Sequence, residues 1–287
     1  MKSVYSKYIL TSFPPVNFLL GPIFVYALFL HFSKITTLPS LNSYHIIIAI
    51  SFVLFGLLLR CFDDLKDYED DLKNFPDRAI PSGLISVKQV QKLSLIIFSI
   101  IALINILNPF GFYMAITVLC FSLLFWQWFF LKKHLHKNLV LAFLTHHPVV
   151  FLQIIYLISS FGVPKESLSL YMYGLPFALL FTHWEVARKI KVPKQENNYT
   201  TYSMVLGYKN AICTLAILQI IITALSWSYL VQISAGAQIT YAYLVTSLLA
   251  FVFTLSHLFV QRKTPFKAFA EIYMTLFIFA TIALGHL

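Results

Sequence analysis

Nine long apolar stretches dominate this chain, at roughly 16–32, 43–62, 90–108, 111–131, 139–160, 168–188, 209–232, 238–261 and 268–286. Each comes close to the roughly 20 residues that an α-helix needs to cross the hydrocarbon of a bilayer. Barrel strands would instead read as alternating segments of about ten residues, and these runs are too long and too uniformly apolar for that. The expected fold is therefore an all-α membrane protein of about nine transmembrane helices. Composition agrees, because 59% of the 287 residues are hydrophobic and only 11% are charged, where a soluble domain carries about 25% charged residues. Cys61, Cys120 and Cys213 lie in or beside apolar stretches and imply no disulfide framework. Lys2 and Lys7 precede Tyr- and Pro-containing sequence rather than a short apolar core with a cleavage site. The first apolar stretch thus reads as an anchor that stays.

Lys and Arg set the orientation. With the N-terminus in the cytoplasm, all but Lys34 and Lys165 of the 21 basic residues fall on the inner side, and an odd helix number puts Leu287 outside. The net charge of +10 then describes topology and an inner surface facing anionic lipid. It does not argue for nucleic acid. Acidic residues are more selective in their placement. Nine of the 11 lie within 63–77 and 185–196, after the second and sixth apolar stretches. Charged groups next to membrane helices are costly unless paired or hydrated, so these two places are the candidate sites.

The first place reads Arg60-Cys-Phe-Asp63-Asp64-Leu-Lys66-Asp67-Tyr-Glu69-Asp70-Asp71, then Pro76, Arg78, Pro81 and Gly83. Asp63, Asp67 and Asp71 follow an i, i+4, i+8 pattern, which on a helix drifts only about 40° per step, so the spacing predicts three carboxylates on one face. Asp64 is expected on the same side. Like charges at i, i+4 destabilise an isolated helix, so something positive should offset them. Hard carboxylate oxygens suit Mg²⁺, which binds through one or two carboxylates and substrate phosphates. Arg60, Lys66 and Arg78 are placed to meet the same phosphates. Pro76, Pro81 and Gly83 predict a loop, and Ser86 with Gln89 predicts a capping box opening the next helix.

This segment resembles the first Asp-rich motif of the UbiA superfamily of intramembrane prenyltransferases. That motif is an Asn/Asp-x-x-x-Asp-x-x-x-Asp run followed by an Arg-Pro-x-x-x-Gly turn. Asp63, Asp67 and Asp71 take the acidic positions, and Arg78-Ala79-Ile80-Pro81-Ser82-Gly83 takes the turn. Asp63 stands where Asn is usual, and Ala79 where Pro is usual. The resemblance spans the chain and implies a single domain over 1–287, with nine helices bundled around a central cavity and the N-terminus inside. It also implies Asp63, Asp67 and Asp71 as the catalytic acids, with Asp64 beside them at the metal.

The second place reads Trp184-Glu185-Val-Ala-Arg188-Lys189-Ile-Lys191-Val-Pro193-Lys194-Gln-Glu196, then Thr200 to Gly207. The superfamily has a second Asp-x-x-x-Asp here, then a Thr-rich stretch and Leu-Gly. Thr201 to Gly207 resembles the latter, but the paired aspartates are missing. Glu185 and Glu196 are the only acids available to hold metal there. Glu185 also faces Arg188 and Lys189 at i+3 and i+4, as a plain salt-bridged helix end would. The resemblance implies diphosphate contact for Arg188, Lys189 and Tyr202, and for Lys132 and Lys133 in the loop after Phe125–Phe130. Lys132 and Lys133 read equally well as an inner-face anchor below an aromatic belt. His146, His147 and His183 read as packed, hydrogen-bonded histidines or as cavity groups. Glu271 is expected to reach the interface.

Together these groups imply Mg²⁺-dependent ionisation of an isoprenyl diphosphate at the cytoplasmic face. The prenyl group would pass to a small, aromatic or lipophilic acceptor inside the bilayer. A terpene cyclase of the same superfamily, quenching the cation within its own chain, is the second reading. A transporter is the third, but it should carry ionisable residues at mid-membrane, and here they cluster at one face.

Overall fold

The computed structural model describes residues 3–164, 166–196, 200–259 and 266–286, and among these it is all-helical. Lys165, expected on the outer side, and the terminal Leu287 lie outside the described residues. Each of the nine apolar stretches is mainly helical over its described residues, and three of them (111–131, 139–160 and 168–188) are broken. Six stretches among the described residues are long and apolar enough to cross a membrane: Val16–Ser33, Ser43–Lys66, Val87–Asn105, Leu139–Ser160, Tyr208–Gln232 and Phe266–His286. The other three are the short Phe112–Trp126, the interrupted 168–187 stretch and the helix ending at Phe259. This is a multi-pass membrane protein. The chain divides into two compact units.

The first unit comprises residues 1–26 and 39–162. Its helices are α1 (Val4–Ser12), the first part of α2 (Val16–Ser33), α3 (Ser43–Lys66), α4 (Tyr68–Asn74), α5 (Val87–Asn105), α6 (Phe112–Trp126), α7 (Lys132–Leu135), α8 (Leu139–His146) and α9 (Pro148–Ser160). α3 packs on α5, α6 and α9, and α6 packs on α5 and α9. The apolar faces meeting there include Phe55, Leu58, Ile97, Ile101, Val118 and Leu157, all buried. Pro148 takes the first position of α9 and marks the step from α8, because proline lacks the N–H that a continuous helix requires. At the N-terminal end of α3 a neutral polar cluster joins the helices. Asn105 Nδ2 donates to Ser51 Oγ (3.0 Å), Tyr156 donates to Asn105 Oδ1 (2.9 Å), Asn108 Nδ2 donates to Ser160 Oγ (2.9 Å), and Tyr44 donates to Asn108. In an apolar bundle such interhelical hydrogen bonds act as fixed joints.

The second unit comprises residues 27–38 and 163–287. It holds the rest of α2, then α10 (Leu168–Met172), α11 (Leu175–Ala187), α12 (Tyr202–Leu206), α13 (Tyr208–Gln232), α14 (Ala237–Phe259) and α15 (Phe266–His286). α13 packs on α11, α12 and α14, and α15 packs on α11 and α14. His31 stacks on Tyr229 (3.6 Å between ring centres), and the Tyr229 hydroxyl donates to the His31 carbonyl (2.9 Å), tying 27–38 to α13. The three cysteines are free, with Cys61 buried and Cys120 exposed.

Candidate active site

The acidic run lies where α3 gives way to α4. The spacing predicts one continuous helical face for Asp63, Asp67 and Asp71; the structure interrupts it. α3 ends at Lys66, Asp67 leaves helical geometry (φ −96°, ψ 5°), and α4 restarts at Tyr68. The carboxylates therefore sort into pairs with different partners. Lys66 Nζ lies 2.8 Å from Asp63 Oδ1 and 2.8 Å from both oxygens of Asp67, so one ammonium bridges these two acids. Asp71, further along, is buried and accepts twice from Arg78 (2.6 and 2.7 Å). The Arg78 guanidinium also lies over the Phe75 ring at 4.2 Å. Gly83 closes the following turn at φ 77°, a left-handed conformation that favours glycine. Buried Ile80 and Ile85 hold the loop down. The expected Ser86–Gln89 capping box opens α5.

Asp64, expected on the same side as Asp67, turns into the unit. Its carboxylate is buried and accepts from the Tyr8 hydroxyl (2.8 Å) and from Arg60. Burial, with Cys61 and Asp64 alongside, pushes the Tyr8 hydroxyl far above its usual range, so it stays a donor. Asp63 and Asp67, by contrast, keep part of their surface open. Burial and the adjacent Asp63 carboxylate raise the Asp67 carboxyl to about 6, against the pull of Lys66.

The loop after α6 closes over this cluster. Lys66 Nζ sits 5.0 Å from the Phe125 ring centre and 4.6 Å from that of Trp128. Lys132 donates to Glu69 (2.8 Å), and His136 pairs with Asp70 (2.7 Å). A groove of about 670 Å³ runs here, lined among others by Lys66, Trp126, Trp128, Lys132, Lys133 and His134. Three of the expected diphosphate residues thus share one groove. His146 packs among Phe125, Trp128 and Phe129 and meets the Ala142 carbonyl (2.7 Å). His147 stacks on Phe143 at 4.5 Å.

In the second unit, Glu185 is held by Arg188 (2.5 and 3.0 Å) and Lys189 (3.1 Å). Glu196 behaves differently: it accepts from the Thr201 hydroxyl (2.9 and 2.8 Å) and from Ser203 (2.6 Å). Those hydroxyls are neutral, so the partners of Glu196 among the described residues carry no charge. Thr201 also caps α12, and the Tyr202 N–H donates to the Lys189 carbonyl (3.0 Å), tying the start of α12 to the residues after α11. Lys189 stands 5.8 Å from the Tyr202 ring centre. His183 is fully buried against Tyr273 (5.3 Å), and among the described residues neither ring nitrogen has a hydrogen-bond partner. Trp184 donates to Glu271 (3.2 Å), whose carboxylate is part-exposed and near Lys267.

Among the described residues no three His, Cys, Asp or Glu side chains converge as a closed metal cage. Mg²⁺ does not need one, since it keeps waters and completes its shell with substrate phosphates. Asp63 and Asp67 fit that pattern: two carboxylates meet at one cation position, beside a groove of basic side chains. Sequence reasoning gives no role to Tyr8, Trp128 or His136, and reads Glu69 and Asp70 only as members of the acidic run. Tyr8 acts across 56 positions and Lys132 reaches Glu69 across 63, distances at which no periodicity speaks.

Known structures share this fold. A digeranylgeranylglyceryl phosphate synthase is 16% identical, with a TM-score of 0.69 over 98% of this chain and 98% of that one. A UbiA homologue from Aeropyrum pernix K1 is 17% identical, with a TM-score of 0.63 over 92% and 98% of the two chains. A UbiA homologue from Archaeoglobus fulgidus, bound to DMAPP and Mg²⁺, is 17% identical, with a TM-score of 0.60 over 98% and 99%. Among curated proteins no sequence relative matches. The family comparison reaches nearly end to end, over residues 11–280, and on that match the chain belongs to the UbiA prenyltransferase family.

Proposed function

We propose that this protein uses Mg²⁺ to ionise an isoprenyl diphosphate and transfers the prenyl group to a small, aromatic or lipophilic acceptor within the bilayer. The observation that carries this reading is the meeting of Asp63 and Asp67 at one cation position beside the groove of Lys66, Lys132 and Lys133. A related protein bound to DMAPP and Mg²⁺ supports the substrate class and the metal. Asp63 and Asp67 would hold the metal, with Asp71, fixed by Arg78, the third acid of the run. When bound, Mg²⁺ stabilises the charge that grows on the departing diphosphate. Lys132 and Lys133 bind and orient the phosphates, and the aromatic loop keeps water from the breaking carbon–oxygen bond. Arg60 and Asp64 act as support, locked to each other and to Tyr8. For the second motif the proposal assigns diphosphate contact to Arg188, Lys189 and Tyr202, and metal contact to Glu196 and Glu185.

The proposal extends to topology: one domain over 1–287, nine crossings, the N-terminus and the 63–83 loop in the cytoplasm. Tags at Met1 and Leu287 should report opposite compartments, and the same compartment for both refutes it. The test of function is incubation of the purified full chain with Mg²⁺ and isoprenyl diphosphates of several lengths, with and without a small aromatic acceptor. A prenylated acceptor, lost on chelation, is expected. A cyclic hydrocarbon or alcohol released without acceptor would select the cyclase, and no diphosphate release under any condition would overturn both.

A further inference from the structure

Lys66 occupies the one place where it competes with the metal that the proposed function requires. Its ammonium makes 2.8 Å contacts to Asp63 and to both oxygens of Asp67. A divalent cation held by the same carboxylate oxygens would bond them directly and so would have to displace the ammonium. The lysine is not passing through this position. Its side chain is only 6% exposed, and the rings of Phe125 and Trp128 cover it at 5.0 and 4.6 Å, in the manner of a cation held against aromatic faces.

The backbone behind Trp128 is built for that contact. Trp128, Phe129 and Phe130 have φ of 52°, 50° and 59°, three successive non-glycine residues in the left-handed region. Such a run is costly, and it persists only where the surroundings hold it. Here the Trp128 indole N–H reaches the Lys66 carbonyl (3.4 Å), and the Phe130 and Leu131 N–H groups close the turn on Gln127 and Trp128 (2.9 and 2.8 Å). The same lysine also lines the groove that holds Lys132 and Lys133. Its flexible four-carbon stem therefore has two anionic destinations: the carboxylate pair, and any phosphate lying in the groove.

We infer that Lys66 is the resident counter-cation of the Asp63–Asp67 pair, and that it changes partner from carboxylate to phosphate when a diphosphate enters. Lys66 thereby makes metal entry conditional on diphosphate entry. Without a phosphate to receive it, the ammonium stays on the carboxylates and the pair binds a divalent cation weakly. Once pyrophosphate lies in the groove, Lys66 leaves and uncovers the Asp63 and Asp67 oxygens it held, with Arg60 still 3.7 Å from the other oxygen of Asp63.

This rests on the proposed function, and the experiment separates the two. Mn²⁺ binding to the purified full chain is followed by electron paramagnetic resonance, with and without inorganic pyrophosphate, in wild type, Lys66→Met, Lys66→Arg and Asp67→Asn. Wild type should bind Mn²⁺ at least about tenfold more tightly when pyrophosphate is present, and Trp128 fluorescence should change as the ammonium departs. Lys66→Met should bind Mn²⁺ at least about tenfold more tightly than wild type without pyrophosphate, and lose most of the coupling. Lys66→Arg should retain it. Equal Mn²⁺ affinity in wild type with and without pyrophosphate overturns the inference without any variant, as does a Lys66→Met protein that binds no better than wild type. If prenyl transfer proceeds in either case, only the Lys66 inference has failed. If Asp67→Asn leaves Mn²⁺ binding intact, the metal assignment and the inference fall together.

Discussion

At its N-terminal end α3 meets a polar cluster made only of neutral groups; at its C-terminal end, about 36 Å away for 24 residues, it meets one made of charges. Both lie in the same unit, the neutral one largely buried and the charged one only in part. In the neutral cluster the principal polar atoms pair with each other: Asn105 with Ser51 and Tyr156, Asn108 with Ser160, Tyr44 and the Gly111 N–H. Nothing there has a second partner to prefer. In the charged cluster each carboxylate is balanced by a cation on a long side chain, and a phosphate or a metal can replace that cation. A closed neutral network joins helices, while a charged network with exchangeable partners binds ligands. Removing a group from the first should cost stability, and removing one from the second should cost chemistry.

Asp67→Ala tests the chemical side hardest. The residue is part-exposed and pairs with the neighbouring Lys66, so the fold should survive. Turnover should fall by at least about a thousandfold, as when a principal electrostatic stabiliser of the transition state is lost. Wild-type thermal unfolding with near wild-type turnover would remove the metal assignment. Asp71 needs the gentler Asp71→Asn, because truncating a buried carboxylate strands Arg78. A hydrated acid at a helix end would have tolerated alanine; burial at 3% exposure makes Asp71 part of the packing as well as the site.

Asn105→Leu tests the opposite end. It leaves Ser51 and Tyr156 without their partner in an apolar interior, at a cost of about 1–3 kcal/mol. Thermal unfolding in detergent should shift downward, while the Mg²⁺ concentration for half-maximal rate stays put. A changed Mg²⁺ requirement would show that the two ends of α3 are coupled.

What the sequence made legible follows the same division. Apolar runs and the Ser86–Gln89 box are local: the box appears as read and the runs are mainly helical, six of them among the described residues long and apolar enough to span. The acidic run and its nearest cations were also visible, since Lys66 lies between Asp63 and Asp67 in the chain. The break at Asp67 was not, because a four-residue period describes a helix whether or not it continues. Nor was the fate of Asp64, which Tyr8 settles from a distant helix, or the cover over Lys66, which depends on a left-handed turn of three aromatic residues. Periodicity reports what neighbours in sequence do; partners chosen by packing leave no such trace.

The second motif permits a smaller, graded test. Glu185 is already neutralised by Arg188 and Lys189, whereas among the described residues Glu196 is held by hydroxyls. If charge available to a cation is what matters, Glu196→Gln should raise the half-saturating Mg²⁺ by about three- to tenfold, within the range of a supporting metal contact. Glu185→Gln should raise it less, and Arg188→Ala should weaken diphosphate binding at unchanged Mg²⁺ requirement. A larger effect from Glu185→Gln would reverse the ranking drawn from these partners.

The smallest effect is expected where the charged cluster reaches solvent. Lys132 donates to Glu69 at 2.8 Å, and this bond, more than any neighbouring charge, holds the Glu69 carboxyl below its usual range. Glu69 is nonetheless fully exposed, and its side chain is 75% accessible. Exposed pairs are weak and screened by salt, so Glu69→Gln should leave thermal stability unchanged. Its effect on catalysis depends on what else Lys132 does. As a member of the groove, Lys132 divides its charge between Glu69 and any phosphate beside Lys133. Freed from Glu69, it should bind diphosphate slightly better, lowering KM by about twofold at low ionic strength and by nothing measurable in high salt. Lys132→Ala should raise KM under the same low-salt conditions. If both variants leave KM unchanged at every salt concentration, Lys132 serves only as the partner of Glu69, and the diphosphate contact in that loop falls to Lys133.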